Sequence, residues 1–234
     1  MVVGEERALA IPKLLYTFPA TQVIILDDAF QHRKVKCDLN ILLVDYHKPI
    51  FKDYILPVGR LRESRWGAKR ADIVIITKCP PEPGYKMEYY NLKLKRYLKR
   101  ETPVFFTGLK YASPVPVNHN IPFEKHSRII AVSGIANPAQ FHEYLSKEFY
   151  LEEKFEFNDH HNYQENDFRK ILAIYHKIND ESTCVVITEK DMVKWIENQY
   201  FQLLQAVKVY YLPIEIYFLK DEDLFHKHLL NVIK

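Results

Sequence analysis

The chain has 234 residues, with 33 Lys and Arg against 30 Asp and Glu, and a formal net charge of +3. A hydrophobic share of 47% gives ample surface to bury, which excludes disorder as the main state, and so small a charge gives no case for nucleic acid. Cys37, Cys79 and Cys184 form no CxxC pair and read as reduced thiols of a cytosolic protein, no apolar run approaches the roughly 20 residues of a membrane span, and no signal peptide opens the chain.

In chain order, a helix-length stretch at Ala8–Phe18 precedes apolar runs of strand length at Val23–Leu26, Leu39–Val44 and Ile73–Ile76. A second helix is predicted over Tyr89–Arg100, followed by strands at Val104–Phe106 and Arg128–Val132. Helices over Pro138–Glu148 and Glu165–Ile178, a strand at Cys184–Ile187, a helix over Asp191–Gln205 and a strand at Val207–Leu212 complete the series. Most of the apolar runs are continuous rather than alternating, as in parallel strands buried on both faces. Strands alternating with helices predict an α/β fold. The segment 111–122 carries Pro114, Pro116 and Pro122, which prevent a helix and suit an extended connection. The expected division is therefore a first domain over 1–112, a linker over 113–125 and a smaller α/β domain over 126–212. The tail 213–234 is expected as a closing strand and helix, Ile214–Phe218 and Leu224–Ile233, returning to the first domain.

Several clusters can carry chemistry. The run Val23–Leu26 leads directly into Asp27 and Asp28, then Gln31, His32 and Arg33. Ligands of open α/β sheets sit beyond the carboxyl ends of strands. Carboxylates placed there can hold Mg²⁺, as in a Walker B site. An acidic turn that caps the next segment satisfies the same pattern. In Leu56–Glu63, Pro57 and Gly59 shape a turn into a predicted helix, and Arg60, Arg62, Arg65, Lys69 and Arg70 offer guanidinium and ammonium groups to phosphate or simply a solvated basic face. Gly134 permits a tight turn after Arg128–Val132, and the N–H groups there can meet an anion or serve packing alone. Thr188 followed by Asp191 reads as a helix N-terminus. The loop at Asp159, His160 and His161 can exchange protons or bind a metal, or be an exposed helix entry. Asn91–Arg100 is basic with interleaved leucines, which suits an anionic membrane surface or an ordinary amphipathic helix.

Together, ILDDAFQHR (25–33), LPVGRLRE (56–63), ADIVIITKCP (71–80), VSGIANPAQF (132–141), NDHHNY (158–163) and TEKDMVK (188–194) occur in an order that resembles the tetraacyldisaccharide 4′-kinases, the lipid A 4′-kinases. The spelling with Ala29-Phe30 and TKCP is similar to the Bacteroidetes branch. The resemblance implies a P-loop kinase core, here an N-terminally incomplete parallel sheet, with a second, smaller α/β domain. It implies ATP and Mg²⁺ as cofactors and transfer of the γ-phosphate to the 4′-hydroxyl of a tetraacyldisaccharide 1-phosphate. It also implies peripheral work at the cytoplasmic face of the bacterial inner membrane, by a chain that is itself soluble. Asp27 and Asp28 then serve metal and nucleotide, and Gln31 and His32 share their motif. Arg62 lies on the phosphate-handling side, and His160 is similar to the histidine that assists a catalytic aspartate. No G-x-x-x-x-G-K-[ST] occurs in these 234 residues. The sequence thus resembles the C-terminal two-thirds of the family, expected to be inactive alone and to self-associate through the face around Val23–Leu26 and Leu39–Val44. The alternatives are a metal-dependent phosphoesterase using Asp159-His160-His161, and a non-catalytic α/β binding module.

Overall fold

The computed structural model describes residues 2–233. The chain divides into two units, Met1–Leu109 with Ile216–Lys234, and Lys110–Glu215.

The first unit begins with α1 (Arg7–Thr17). Its sheet is built from β1 (Ile41–Asp45), β2 (Ile73–Cys79), β3 (Val104–Tyr111) and β9 (Ile214–Phe218), in the order β1-β2-β3-β9. β1 pairs β2 in parallel from Ile41↔Ile73 to Asp45↔Thr77, and β2 pairs β3 in parallel from Val74↔Val104. A parallel pair needs a crossover, which α2 (Lys86–Lys95) supplies between β2 and β3. Val44, Val74, Ile76, Leu94, Leu98 and Phe106 close one core. On the other face, α6 (Glu222–Val232) sets Phe225 edge-on to Phe105, ring centroids 5.4 Å apart. A Cβ on Gly108 would lie 2.5 Å from the Tyr217 ring, so a larger residue there must displace that side chain.

The second unit orders its strands β4-β8-β7-β5-β6. These are β4 (Val115–Pro116), β5 (Arg128–Ser133), β6 (Tyr150–Glu156), β7 (Thr183–Thr188) and β8 (Val209–Leu212). All pair in parallel except β4, which runs antiparallel to β8. α3 (Ala139–Glu148), α4 (Glu165–Ile178) and α5 (Glu189–Ile196) make the connections. Every residue of β7 is buried, as a continuous apolar strand at the centre of such a sheet requires. From β5 the chain goes to β6 on one side and then to β7 on the other, so the sheet reverses its order between β5 and β7. Ligands of open α/β sheets bind outside the carboxyl ends at such a point.

Four expectations are corrected. Val23–Leu26 forms no strand: among the described residues it has no ladder partner, and Ile25 is 90% exposed. Asp27 and Asp28 consequently stand in a turn rather than at the end of a central strand. The segment 113–125 is not a free linker. Its β4 joins the second sheet, and Asn118 donates to the carbonyls of Leu204 (3.0 Å) and Val207 (2.9 Å) while accepting from Val209 N–H. Proline is tolerated there because β4 is an edge strand. The helix expected after Gly59 is a short 3₁₀ helix, Arg65–Arg70, capped by Ser64. The helix expected over Asp191–Gln205 breaks after Ile196 and resumes as a 3₁₀ helix, Gln199–Leu204, capped by Asn198.

Candidate functional site

In the first unit the blocks 25–33 and 56–63 are knitted together by guanidinium groups. Arg62 Nη1 lies 3.0 Å from Asp28 Oδ2 in a solvent-exposed pair. One residue on, Glu63 takes Arg33 Nη2 at 2.9 Å on Oε2 and Arg70 Nη2 at 2.5 Å on Oε1. Arg70 also donates to the Phe30 carbonyl and stacks over the Phe30 ring, 4.7 Å from its centroid. Partial burial pushes the Glu63 carboxyl up, but the Arg70 and Arg33 guanidiniums outweigh it and hold it below its ordinary value. Glu63 thus anchors both blocks and leaves the neighbouring Arg62 free to face Asp28. Asp28 itself adopts a left-handed backbone, φ 46°.

Asp53 gives the second block its shape. Its Oδ1 accepts from Tyr54 N–H (2.8 Å) and Arg60 N–H (3.1 Å), and its Oδ2 pairs with Arg60 Nε at 2.9 Å. The Arg60 N–H bond leads the causes that hold the Asp53 carboxyl below its ordinary value. Gln31 and His32 line a separate cleft, about 370 Å³, together with Arg33 and the start of α1. They are exposed, and neither side chain has a hydrogen bond among the described residues. The structure therefore brings Asp28 and Arg62 together and places Gln31 and His32 with one another.

Asp27 and Asp28 offer oxygen donors only, the set a hard cation such as Mg²⁺ takes when waters and phosphates complete its shell. Among the described residues no group of three or more His, Cys, Asp and Glu is placed to hold a metal by itself.

In the second unit, His160 projects from the loop that enters α4. Its side chain is 77% exposed and its backbone left-handed, φ 60°. Such a conformation is uncommon for a residue with a Cβ and persists where neighbours enforce it. Here Asp159 Oδ1 accepts from His160 N–H (3.0 Å) and from Lys190 Nζ (2.7 Å). The Lys190 bond holds the Asp159 carboxyl below its ordinary value. His161 is engaged differently. Its Nε2 lies 2.9 Å from Asp167 Oδ2, and its ring stacks on Phe157 at 4.4 Å. Of the two adjacent histidines, His160 is the more exposed, and its imidazole Nε2 lies 3.6 Å from Asp159 Oδ2.

Beneath this loop, at the carboxyl ends of β5 and β7, Asp191 is fully buried. Its Oδ2 accepts from Gly134 N–H (2.8 Å) and from Thr188 Oγ1 (2.6 Å), while its own N–H bonds Thr188 Oγ1 as a helix cap. The anion at the Gly134 turn is thus the protein's own carboxylate. A Cβ on Gly134 would meet Asp191 Oδ1 and Tyr163 Oη at 2.9 Å each. Lys194 and Asn198 donate to the carbonyls of His161 and Tyr163, so α5 and the residues just after it tie down the His160 loop. Sequence reasoning missed Glu63, Asp53 and the Lys190–Asp159 pair. The available signal was their position inside or beside blocks already singled out.

Comparison with known proteins decides the family. The model of the tetraacyldisaccharide-1-P 4′-kinases matches residues 1–234. The chain belongs to that family. The tetraacyldisaccharide 4′-kinase of Cytophaga hutchinsonii is 36% identical over 100% of the chain and 64% of its own length. That of Phocaeicola vulgatus is 37% identical over 100% of the chain and 66% of its own length. The crystal structure of LpxK from Aquifex aeolicus in complex with ATP matches 99% of this chain and 64% of its own, at TM-score 0.70 and 25% identity. The chain therefore spans about two thirds of the length of these relatives, and its α/β fold is that of this kinase.

Proposed function

We propose that the chain is the larger part of an ATP-dependent kinase that phosphorylates the 4′-hydroxyl of a tetraacyldisaccharide 1-phosphate at the cytoplasmic face of the bacterial inner membrane. The observation that carries the proposal is the solvent-facing Arg62–Asp28 pair, at 3.0 Å, where two family blocks meet. Phosphoryl transfer depends on positioning and on neutralising phosphate charge, and this pair presents a carboxylate and a guanidinium side by side.

In this reading Asp27 and Asp28 are the oxygen ligands of Mg²⁺, which when bound neutralises charge on the nucleotide phosphates. Arg62 exchanges the Asp28 carboxylate for phosphate oxygens, whose planar bidentate geometry suits guanidinium. Gln31 and His32 serve the same motif as polar contacts to nucleotide. His160 carries a proton-accepting imidazole that orients a carboxylate base. Among the described residues no helix is long and apolar enough to cross a membrane. The membrane contact proposed for these residues is peripheral.

These 234 residues contain no G-x-x-x-x-G-K-[ST] to cradle the β- and γ-phosphates. Alone they are therefore expected neither to bind ATP tightly nor to phosphorylate the lipid, whereas the longer protein does both. Calorimetric titration with ATP–Mg²⁺ and labelled-phosphate transfer to tetraacyldisaccharide 1-phosphate test this. Robust turnover by the 234 residues overturns the fragment reading, and no turnover by the longer protein overturns the kinase reading.

A further inference from the structure

A groove of about 580 Å³ in the first unit is separate from the residues assigned above to metal and phosphate. Its walls are Ile55, Val58 and Leu61 with the aromatic rings of Tyr54, Trp66 and Tyr97; Arg65 and Arg96 complete the charged lining, which holds no acidic side chain. These groups stand out of the surface: Val58 is 81% exposed, Tyr54 62% and Trp66 52%. So much exposed apolar area on one loop calls for a partner.

The loop is held rigid without one. Leu61 N–H bonds the Tyr54 carbonyl (2.9 Å), Leu56 N–H bonds the Leu61 carbonyl (3.0 Å), and Arg65 donates twice to the Asp53 carbonyl. Gly59 makes this closure feasible, since a Cβ there would lie 2.2 Å from the Tyr54 carbonyl oxygen. A preformed loop avoids the entropy cost of ordering on contact. Cations sit on its rings, with the Arg65 guanidinium 5.1 Å from the Tyr54 centroid and Lys69 Nζ 5.0 Å from the Trp66 centroid. Nearby Arg60, Arg62 and Arg70 are paired with Asp53, Asp28 and Glu63, but Arg65, Lys69 and Arg96 form no ion pair among the described residues.

Exposed aliphatic groups, Tyr and Trp rings and cations without an ion-pair partner, gathered about one groove, complement the headgroup zone of an anionic bilayer. Aliphatic groups enter the acyl boundary there, aromatic rings sit at headgroup level and cations meet lipid phosphates. We propose that this groove is the surface through which the protein docks on an anionic phospholipid bilayer, with Ile55 and Val58 entering the lipid and the exposed Lys69 and Arg96 binding headgroup phosphates. The proposal rests on the membrane-surface part of the reading above and adds which face meets the lipid.

The chain carries its own probe. It has two tryptophans; Trp66 lies in the groove and Trp195 is fully buried. Titration with phosphatidylglycerol-containing vesicles is expected to shift Trp66 emission to the blue, and brominated acyl chains are expected to quench it. Pure phosphatidylcholine vesicles are expected to do neither. Lys69→Gln and Arg96→Gln should each weaken binding about fivefold, and the double variant about 25-fold. Trp66→Phe should abolish the emission change while co-sedimentation persists. Co-sedimentation with Trp66 emission unmoved puts the lipid elsewhere, which overturns the groove and leaves the membrane reading standing. Failure to sediment with any vesicle overturns both, while kinase activity is judged separately by phosphate transfer. Equal binding to both vesicle types overturns the charge argument. Protection of Trp66 from acrylamide in the longer protein without lipid shows that protein covers the groove, and overturns the proposal.

Discussion

Replacing Asp191 with alanine separates scaffolding from chemistry in the second unit. Its Oδ2 accepts from Gly134 N–H at 2.8 Å and from Thr188 Oγ1 at 2.6 Å, and the residue has no exposed surface. Truncation removes both bonds. Thr188 Oγ1 already accepts from the N–H of residue 191 and can turn its proton elsewhere, so its loss is modest. The Gly134 N–H is backbone and cannot turn, and it is left buried without an acceptor. A lost bond is worth about 1 kcal/mol and an orphaned buried donor about 1–3 kcal/mol, so Asp191→Ala should cost about 2–4 kcal/mol. Asp191→Asn keeps an oxygen where Oδ2 stood and should cost roughly half as much. Urea unfolding followed by Trp195 emission is the assay. That indole is buried in the same unit, with the Tyr163 and Phe168 rings at 5.5 and 5.1 Å. An Asp191→Ala midpoint indistinguishable from the parent, or an Asn variant as damaged as the Ala variant, would refute the reasoning.

Arg62→Ala and Asp28→Asn should leave the urea midpoint of the 234-residue chain in place, because exposed ion pairs contribute little. In the longer protein each should lower phosphate transfer by about 10²–10³-fold; an unchanged rate removes them from the site. The Glu63 carboxyl is held below its ordinary value in the folded chain, so the stability it contributes is present above its unfolded pKa and is lost as pH falls through the depressed folded value. The urea midpoint of Glu63→Gln should accordingly vary less than the parent's between neutral pH and the acid range, and parallel profiles would count against the Arg33–Glu63–Arg70 anchor. Burial pushes the Cys79 thiol up to about 11 and the Cys184 thiol up to about 12. Ellman's reagent at pH 8 should therefore label half-buried Cys37 and spare the other two until the chain unfolds, with fast labelling of three thiols as the contrary result. Leu43 on β1 is 64% exposed, and the outer edge of that strand has no partner among the described residues. Leu43→Lys should reduce concentration-dependent light scattering, and a parent that stays monomeric at high concentration would exclude association by this face.

The parts of the fold that were legible in the sequence are those where one residue pattern meets one environment. Cys184–Ile187 is apolar throughout, and the strand that contains it, Thr183–Thr188, lies buried from end to end. Glu165–Ile178 forms a helix over just those residues, with a capping box between Gln164 and Asp167 at its start and Asn179 in the left-handed conformation at its end. β6 escaped because it is an edge strand in which Leu151 and Phe155 alone are half-buried. These lie four apart among charged residues, and β5 slips register between Ile129 and Ile130 against it, so no period of two survives. The prolines of 113–125 were correct as helix breakers, but proline also fits an edge strand, and Asn118 sits 86–91 residues from the groups it ties together. Val23–Leu26 has the composition of a strand, but a strand is defined by its neighbour, and composition carries no information about a missing ladder.

The same distinction runs through the site. The groups that sequence reading singled out for chemistry face solvent, with Arg62 63% exposed, Asp28 70% and His160 77%. The groups that hold them are withdrawn: Glu63 is 21% exposed, Asp53 12% and Asp191 0%. A carboxylate or imidazole open to water has few protein partners to leave when a phosphate or proton arrives, so its exchange costs little reorganisation. A withdrawn carboxylate that accepts several N–H or guanidinium bonds would leave buried donors orphaned if it moved. The division predicts opposite phenotypes. Substitutions in the first group should change ligand binding with little effect on unfolding, and those in the second should change unfolding first and function through the displaced loop. Arg62 and Glu63 test this most sharply, because they are adjacent in sequence, share one turn of the chain and fall on opposite sides of the line. Arg62→Ala and Glu63→Ala with the same signature in urea and in phosphate transfer would show that the block acts as one unit, and that the exposed pair is held by more than the Glu63 anchor.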